Sequence, residues 1–225
     1  QGLGDGQFVT DTVTVTSVDG TEQSIAITIN GANDAAVIGG SVTGSVTEDA
    51  GIDANSDLVA SGQLAIADSD AGEAFFNEGT ISGTHGSLTI DASGAWTYTT
   101  DNDLPEVQGL GEGQFLTDTM TVTSLDGTDQ SIEVTITGTN DVPVISGDAL
   151  GSVTEDAVLT ASGRLSITDA DVGEAFFNAG TVLGTHGSLT IDASGAWTYE
   201  VDNDLPVVQG LGEGQFLTDT VTATS

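Results

Sequence analysis

The sequence predicts an all-β fold of tandem Greek-key sandwiches, and three observations carry that reading. Gly-Leu-Gly-(Asp/Glu)-Gly-Gln-Phe occurs at Gly2 to Phe8, Gly109 to Phe115 and Gly210 to Phe216, with starts 107 and then 101 residues apart. Apolar residues alternate with polar ones at Ile25, Ile27 and Ile29, and again at Ile132, Val134 and Ile136, which is the period of a half-buried strand. Asp19-Gly20 and Asp126-Gly127 stand between such runs, and Asp-Gly there signals a hairpin. A period of about 100 residues is too long for a solenoid turn and suits an independently folding sandwich, so the repeat is the unit of structure.

The elements follow in order along one repeat. Ser41 to Thr47 reads as an extended first segment, Leu58 to Ile66 as a strand and Thr80 to Gly83 as another. Ser87 to Asp91 and Ala95 to Thr99 form a hairpin around Ala92-Ser93-Gly94, and Ser188 to Glu200 repeats it. The Asp-Gly hairpin closes the unit. About seven strands in roughly 100 residues match an immunoglobulin-like or cadherin-like sandwich. Trp96 and Tyr98 share a face and are expected to fill the core with Leu88, Ile90 and Phe115.

The copies are near duplicates. Thr84 to Tyr98 and Thr185 to Tyr199 are identical, and the six-residue difference in spacing falls in Gly51 to Asp57, a loop that absorbs insertion cheaply. Gly31 to Ile38 matches Gly138 to Ile145, which marks each passage from a last strand into the next unit. Residues 1–34 therefore read as the C-terminal hairpin of a preceding repeat, 35–141 as a complete repeat, and 142–225 as a repeat lacking its last strand. The ragged ends admit two explanations: a window on a longer array, or a strand donated from one molecule to the next.

Charge narrows the function classes. Thirty-five acidic residues stand against one basic residue, Arg164, for a formal net charge of −34. Nucleic-acid binding is excluded because it needs Lys and Arg to displace counterions, and an anionic membrane surface repels such a chain. The alternating apolar pattern, in a chain 37% hydrophobic, argues against disorder. With no Cys and no Lys, neither disulfides nor Lys–Asn cross-links can staple the fold. So much negative charge opposes compaction unless cations neutralise it. Divalent metal, and calcium above all, is the remaining device. No apolar run is long enough to insert in a membrane, and no signal peptide is visible.

Calcium takes six to eight oxygens from converging loops. The first candidate set is Asn33, Asp34, Glu48, Asp49, Asp68, Asp70, Glu73, Asp101 and Asp103; the second is Asn140, Asp141, Glu155, Asp156, Asp169, Asp171, Glu174, Asp202 and Asp204. Asp-x-Asp pairs point to one centre more readily than adjacent acids do. Gly2 to Gly6 resembles half of a calcium-binding nonapeptide but is not iterated, so a turn before the Phe8 strand is the reading. Asp11, Asp118 and Asp219 share parity with Val13, Met120 and Val221, so they are expected to face inward as buried caps. His85 and His186 sit in Gly-Thr-His-Gly-Ser, the same motif in each copy, and read as a structural turn rather than part of a triad. Paired carboxylates as a glycosidase centre fail for the same reason. No enzymatic activity is expected.

At these residues the chain resembles the VCBS repeat family, cadherin-like tandem domains of large bacterial surface proteins and adhesins. The likeness rests on Gly138 to Ile145, Val153 to Asp156, Asp169-Ala170-Asp171 with Gly173-Glu174, Gly187 to Thr190 with Trp197 to Tyr199, and Asp219 to Thr222, which is expected as a strand. It implies a secreted, cell-surface, calcium-dependent protein of adhesion or biofilm formation. Ala35-Ala36 departs from the family's proline, present at Pro143, and implies a less rigid first linker. The function expected is a calcium-stiffened spacer or stalk whose partners are neighbouring repeats of the same chain, with any glycan or cell-surface ligand held by other modules. The alternatives are a fibre or sheath subunit that binds other copies of itself by strand addition, and sandwiches that bind glycan directly.

Overall fold

The structure, a computed structural model, describes residues 2–225. It divides into two compact units: residues up to Val107 with Gly113–Gly138, and Gln108–Glu112 with Thr139–Ser225. The first opens with a hairpin, β1 (Phe8–Thr16) and β2 (Glu22–Asn30), in antiparallel register from Phe8–Asn30 to Thr16–Glu22. Its turn places Gly20 at φ +88, where a side chain is strained. Then follow β3 (Val37–Gly40), β4 (Thr43–Thr47), β5 (Asp57–Ala67), β6 (Gly79–Ser82), β7 (Ser87–Ile90) and β8 (Ala95–Asp101). A short helix, α1 (Pro105–Gln108), leads to β9 (Phe115–Thr123) and β10 (Asp129–Thr137).

Two sheets enclose the core of this repeat. One is β3-β5-β8-β7-β6; the other is β4-β10-β9, with β4 parallel to β10 from Thr43–Glu133 to Thr47–Thr137. Strict alternation sends Leu58, Leu64, Leu88, Ile90, Trp96 and Tyr98 inward from the first sheet, and Val46, Met120, Val122, Ile132, Val134 and Ile136 from the second. Trp96 lies across Gly62, where an added Cβ would stand 2.4 Å from the indole, and its Nε1–H donates to the Ser41 carbonyl (2.8 Å). Phe115 does not join this core. It is 64% exposed, because in the β9 register Leu116, Asp118 and Met120 carry the inward parity and Phe115 the outward one. Phe76, which follows a loop and has no periodic signal, takes an inner place instead.

The second unit contains β11 (Val144–Gly147), β12 (Thr160–Thr168), β13 (Gly180–Leu183), β14 (Gly187–Ile191), β15 (Ala196–Val201) and α2 (Pro206–Gln209), with the sheet β11-β12-β15-β14-β13. Phe177, Ile191 and Trp197 form its buried cluster. The strand expected at Asp219 to Thr222 is not formed, and the stretch matching β4, residues 150–154, makes only an isolated bridge from Thr154 to Val158. In the first unit both segments pair with β10. Among the described residues the second unit has no strand in that place, so their backbones have no ladder to join.

The inward aspartates act as expected where a body is present. Asp118, 1% exposed, accepts from the backbone N–H groups of Thr84 (2.5 Å), His85 (3.0 Å) and Gly86 (2.9 Å) and from the Tyr98 hydroxyl (3.0 Å). Asp219 repeats this on Thr185, His186 and Tyr199. Burial works to raise both carboxyls, yet the sum of these hydrogen bonds holds each below its ordinary value. Burial, and then the Asp219 carboxylate, push the Tyr199 phenol up to about 12. The amides of the Gly-Thr-His-Gly turn are what the fold uses. Asp11, the matching residue of β1, is exposed.

This lock predicts a graded response. Asp118→Ala should cost about 3 kcal/mol, because it strands buried donors, while Asp11→Ala should leave the Tm unchanged. The carboxyl is depressed in the fold, so its stabilisation is complete above the unfolded carboxyl range near pH 4 and is lost as pH falls through the lower folded value. Thermal melts between pH 2 and pH 6, an experimental range of about four units, should show a shallower acid limb in Asp118→Asn. Equal effects at Asp118 and Asp11 would contradict the lock.

Candidate metal centre

Two loops recur at the start of each body. In the first unit Asp68-Ser69-Asp70-Ala71-Gly72-Glu73 follows β5 and meets the Gly2 to Gly6 loop and the Asn33-Asp34 linker. The Asp70 carboxylate accepts the Asp34 N–H (2.7 Å), Asp68 accepts the Asp70 N–H (2.8 Å), and Ala71 N–H donates to the Gly2 carbonyl (3.3 Å). Gly4 fits tightly there: a Cβ on it would stand 2.3 Å from a Glu73 carboxylate oxygen. The second unit repeats the three hydrogen bonds. Asp171 accepts the Asp141 N–H (2.9 Å), Asp169 accepts the Asp171 N–H (3.1 Å), and Val172 N–H donates to the Gly109 carbonyl (3.1 Å).

One oxygen of each central aspartate is satisfied in this way and the other is not. Asp70 is 3% exposed and Asp171 2%, and the Oδ1 of each is buried without a hydrogen-bond partner, as is Oδ2 of Asp68. A buried carboxylate oxygen in that state is costly unless a cation meets it. Glu73 registers the same excess of charge. Its carboxyl is raised, first by lost hydration and then by repulsion from Asp70, Asp68, Asp126 and Asp5. Asp5 and Asp126 were not in the sequence-derived set. Asp126 lies 53 residues from Glu73 in the β9–β10 turn, and no spacing rule links the two.

The other candidates assemble separately. Glu48 is fully buried just beyond β4, its N–H donating to the Thr137 carbonyl (2.9 Å). Asp49, at φ +56, exchanges two hydrogen bonds with Asn102: its N–H to the amide oxygen (3.0 Å), and the amide nitrogen to its Oδ1 (2.8 Å). Asp156 and Asn203 do the same, with Gln209 donating to Asp156 as well. Oε2 of Glu155 is buried without a hydrogen-bond partner. Asp101 and Asp202 accept the N–H of Asp103 and Asp204 across their turns. Asn102 and Asn203 escaped sequence reasoning because each sits between two acids that drew the attention. Asn33, Asp34, Asn140, Asp101, Asp103, Asp202 and Asp204 are exposed, and Glu174 is half-buried. Among the described residues no three His, Asp or Glu side chains converge closely enough to hold a metal ion by themselves. A cation here would need amide and carbonyl oxygens alongside the carboxylates.

The two linkers differ at three residues, Ala32/Thr139, Ala35/Val142 and Ala36/Pro143, and the last of these changes a backbone donor. Ala36 N–H donates to the Asp126 carboxylate (2.8 Å), where Pro143 at the matching position has no N–H. Ser124 first, then Ala36 and Thr128, hold Asp126 well below the usual carboxylate range. The departure from proline thus creates a tether between linker and hairpin turn.

The family described as bacterial cadherin-like domain matches residues 33–139 and again residues 140–225. No curated protein matches the sequence significantly. Solved structures with similar chains include the cis-dimer of protocadherin gammaB7 EC3-6, at 16% identity over 87% of this chain and 49% of that one, TM-score 0.45. A Ca2+-stabilized adhesin with which an Antarctic bacterium binds ice aligns at 18% identity over 97% of this chain and 56% of that one, TM-score 0.28. A 1.5-MDa bacterial ice-binding adhesin aligns at 17% over 87% and 63%, TM-score 0.29. The chain thus spans between 49% and 63% of these structures.

Repulsion at Glu73 gives a direct test. In chelator at low ionic strength Glu73→Gln should raise the Tm, because it removes one of several like charges, and about 1 M NaCl should erase the gain by screening. A Tm unchanged by the substitution at low salt would show that no charge excess exists there.

Proposed function

The chain belongs to the bacterial cadherin-like domain family, and from that premise we propose that it is a run of calcium-stiffened spacer repeats, of the VCBS type, in a secreted bacterial cell-surface adhesin or biofilm protein. The division into 1–34, 35–141 and 142–225 is part of this proposal. One observation carries it: the buried, unpartnered Oδ1 of Asp70 and of Asp171, at matching places beside the two linkers. Calcium prefers such all-oxygen sets. Asp68, Asp70 and Glu73 with Asn33 and Asp34 would hold it in the first unit; Asp169, Asp171 and Glu174 with Asn140 and Asp141 would do so in the second. Glu48, Asp49, Asp101 and Asp103, with Glu155, Asp156, Asp202 and Asp204, are the further ligand groups. When bound, the ion supplies charge neutralisation. The residues themselves anchor each linker, through the Asp34 and Asp141 amides, to the body that follows.

The role is mechanical rather than catalytic, as for cadherin-like domains generally. The rival, direct glycan binding, draws on the exposed Phe75 and Phe115. Against it, Trp96, Tyr98 and Trp197 are spent on the core. No helix among the described residues is long and apolar enough to cross a membrane.

Calcium that binds only the folded form stabilises it by mass action. Chelation at low salt should lower the Tm, and Asp169→Ala with Asp171→Ala should mimic chelation in the second unit alone. Arg164, the one residue trypsin can use, lies within β12 opposite Ala196. Calcium-loaded protein should therefore resist trypsin, and the chelated or doubly substituted protein should be cut once. A Tm and a digestion pattern indifferent to calcium would overturn the spacer reading.

A further inference from the structure

Asp126 stands at the edge of the first candidate site, where its charge presses on Glu73, yet it has no oxygen left to give an ion. Its Oδ1 accepts the Ser124 hydroxyl and the Thr128 N–H (3.1 Å); its Oδ2 accepts the Thr128 hydroxyl (2.7 Å) and the Ala36 N–H (2.8 Å). The roughly four acceptor sites of a carboxylate are thus taken. The turn that carries Asp126 is itself fixed to the body. Leu125 N–H donates to the Phe75 carbonyl (2.9 Å), the Asn77 side-chain amide donates to the Ser124 carbonyl (2.9 Å), and Phe76 bridges to Ser124. At the other end of the bond Ala36 is 7% exposed, whereas the next residue, Val37, is 72% exposed. The first linker is therefore held at Asp34 by Asp70 and at Ala36 by Asp126.

We propose that Asp126 is a positioning residue: it holds the first linker to its body without the help of an ion, so that Asn33 and Asp34 are already placed when calcium arrives. The benefit to ion binding rests on the calcium reading above; the tether itself does not. The two anchors differ in what they need. Asp70 leaves its Oδ1 buried and unpartnered, so the Asp34 contact carries unanswered charge until a cation meets it. Asp126 has no unanswered oxygen, and its charge-assisted bond to a buried amide needs no cation to complete it. Ser124 above all keeps its carboxyl below the usual range, so the acceptor stays charged as the pH falls through the ordinary carboxylate range near pH 4. Ligand residues fixed in advance lower the ordering cost of binding. Ala36 thus reverses the expectation of a less rigid first linker: it gives up the fixed φ of proline and gains an anchor that Pro143, with no N–H, cannot make with any acceptor.

Amide hydrogen exchange of the 225-residue chain, followed by NMR in chelator at low ionic strength, tests it. In the wild type the Ala36 and Asp34 amides should exchange on the order of a hundredfold more slowly than unstructured ones. Asp126→Ala should return Ala36 to within about tenfold of the unstructured rate and speed Asp34 about tenfold. Ala36→Pro removes the donor, leaves the bonds within the Asp126 turn intact and introduces a residue the second linker already carries at that place; it should speed Asp34 equally. Saturating calcium should slow Asp34 again in both variants. Wild-type protection in chelator that both variants lose supports the tether even if calcium then changes nothing, an outcome that would count against the calcium reading alone. An Ala36 amide unprotected in the wild type in chelator, or an Asp34 amide indifferent there to both substitutions, would overturn the proposal.

Discussion

With 35 acidic side chains and one basic one, this chain can compensate negative charge from within only through backbone N–H groups and a few hydroxyl and amide donors. The fold is organised around that scarcity. Asp118 and Asp219 gather two or three turn amides and a tyrosine hydroxyl each. Asp91 and Asp192 close the β7–β8 and β14–β15 turns on the amides of Ser93 and Ala95, and of Ser194 and Ala196. Asp126 binds a linker amide and its own turn. Each carboxylate is stabilised in its charged form by donors that the loop would otherwise leave to water. The acids thus specify loop geometry as well as solubility.

The supply of amides runs out beside the linkers. Asp70 and Asp171 each satisfy one oxygen on a linker amide and leave the other buried, and Glu73 is pressed by four neighbouring carboxylates. Unneutralised, that charge loosens the contact between a linker and the body after it. Neutralised by a divalent cation, as proposed, the same residues would hold the linker more firmly to the body that follows. On the proposed reading, a chain with neither Cys nor Lys to staple it would gain stiffness most directly at that point, and the stiffness would follow the calcium of the surroundings.

Much of the fold was legible because strand parity is a local property. The alternations at Ile132 to Ile136 and Leu88 to Ile90, the Asp-Gly turns, and the inward parity of Asp118 all survive in three dimensions. Phe115 was misplaced because its size outweighed its parity, and Asp219 to Thr222 because a strand sequence does not supply its own partner. At the site, the Asp-x-Asp pairs were readable from spacing. Asp126, Asp5, Asn102 and Asn203 were not, since their roles depend on contacts between distant loops. That Ala36 offers an N–H where Pro143 does not was visible in the sequence, but its acceptor at Asp126 was not.

The central claim is that the acidic loops beside the linkers are unfinished without calcium. Calorimetric titration of the chelator-treated chain at low ionic strength, with calcium and with magnesium, tests it most directly. Saturable calcium binding, stronger than that of magnesium and reduced separately by Asp70→Asn and by Asp171→Asn, is the predicted result. Unsaturable binding that is equal for both ions and indifferent to both substitutions would contradict it.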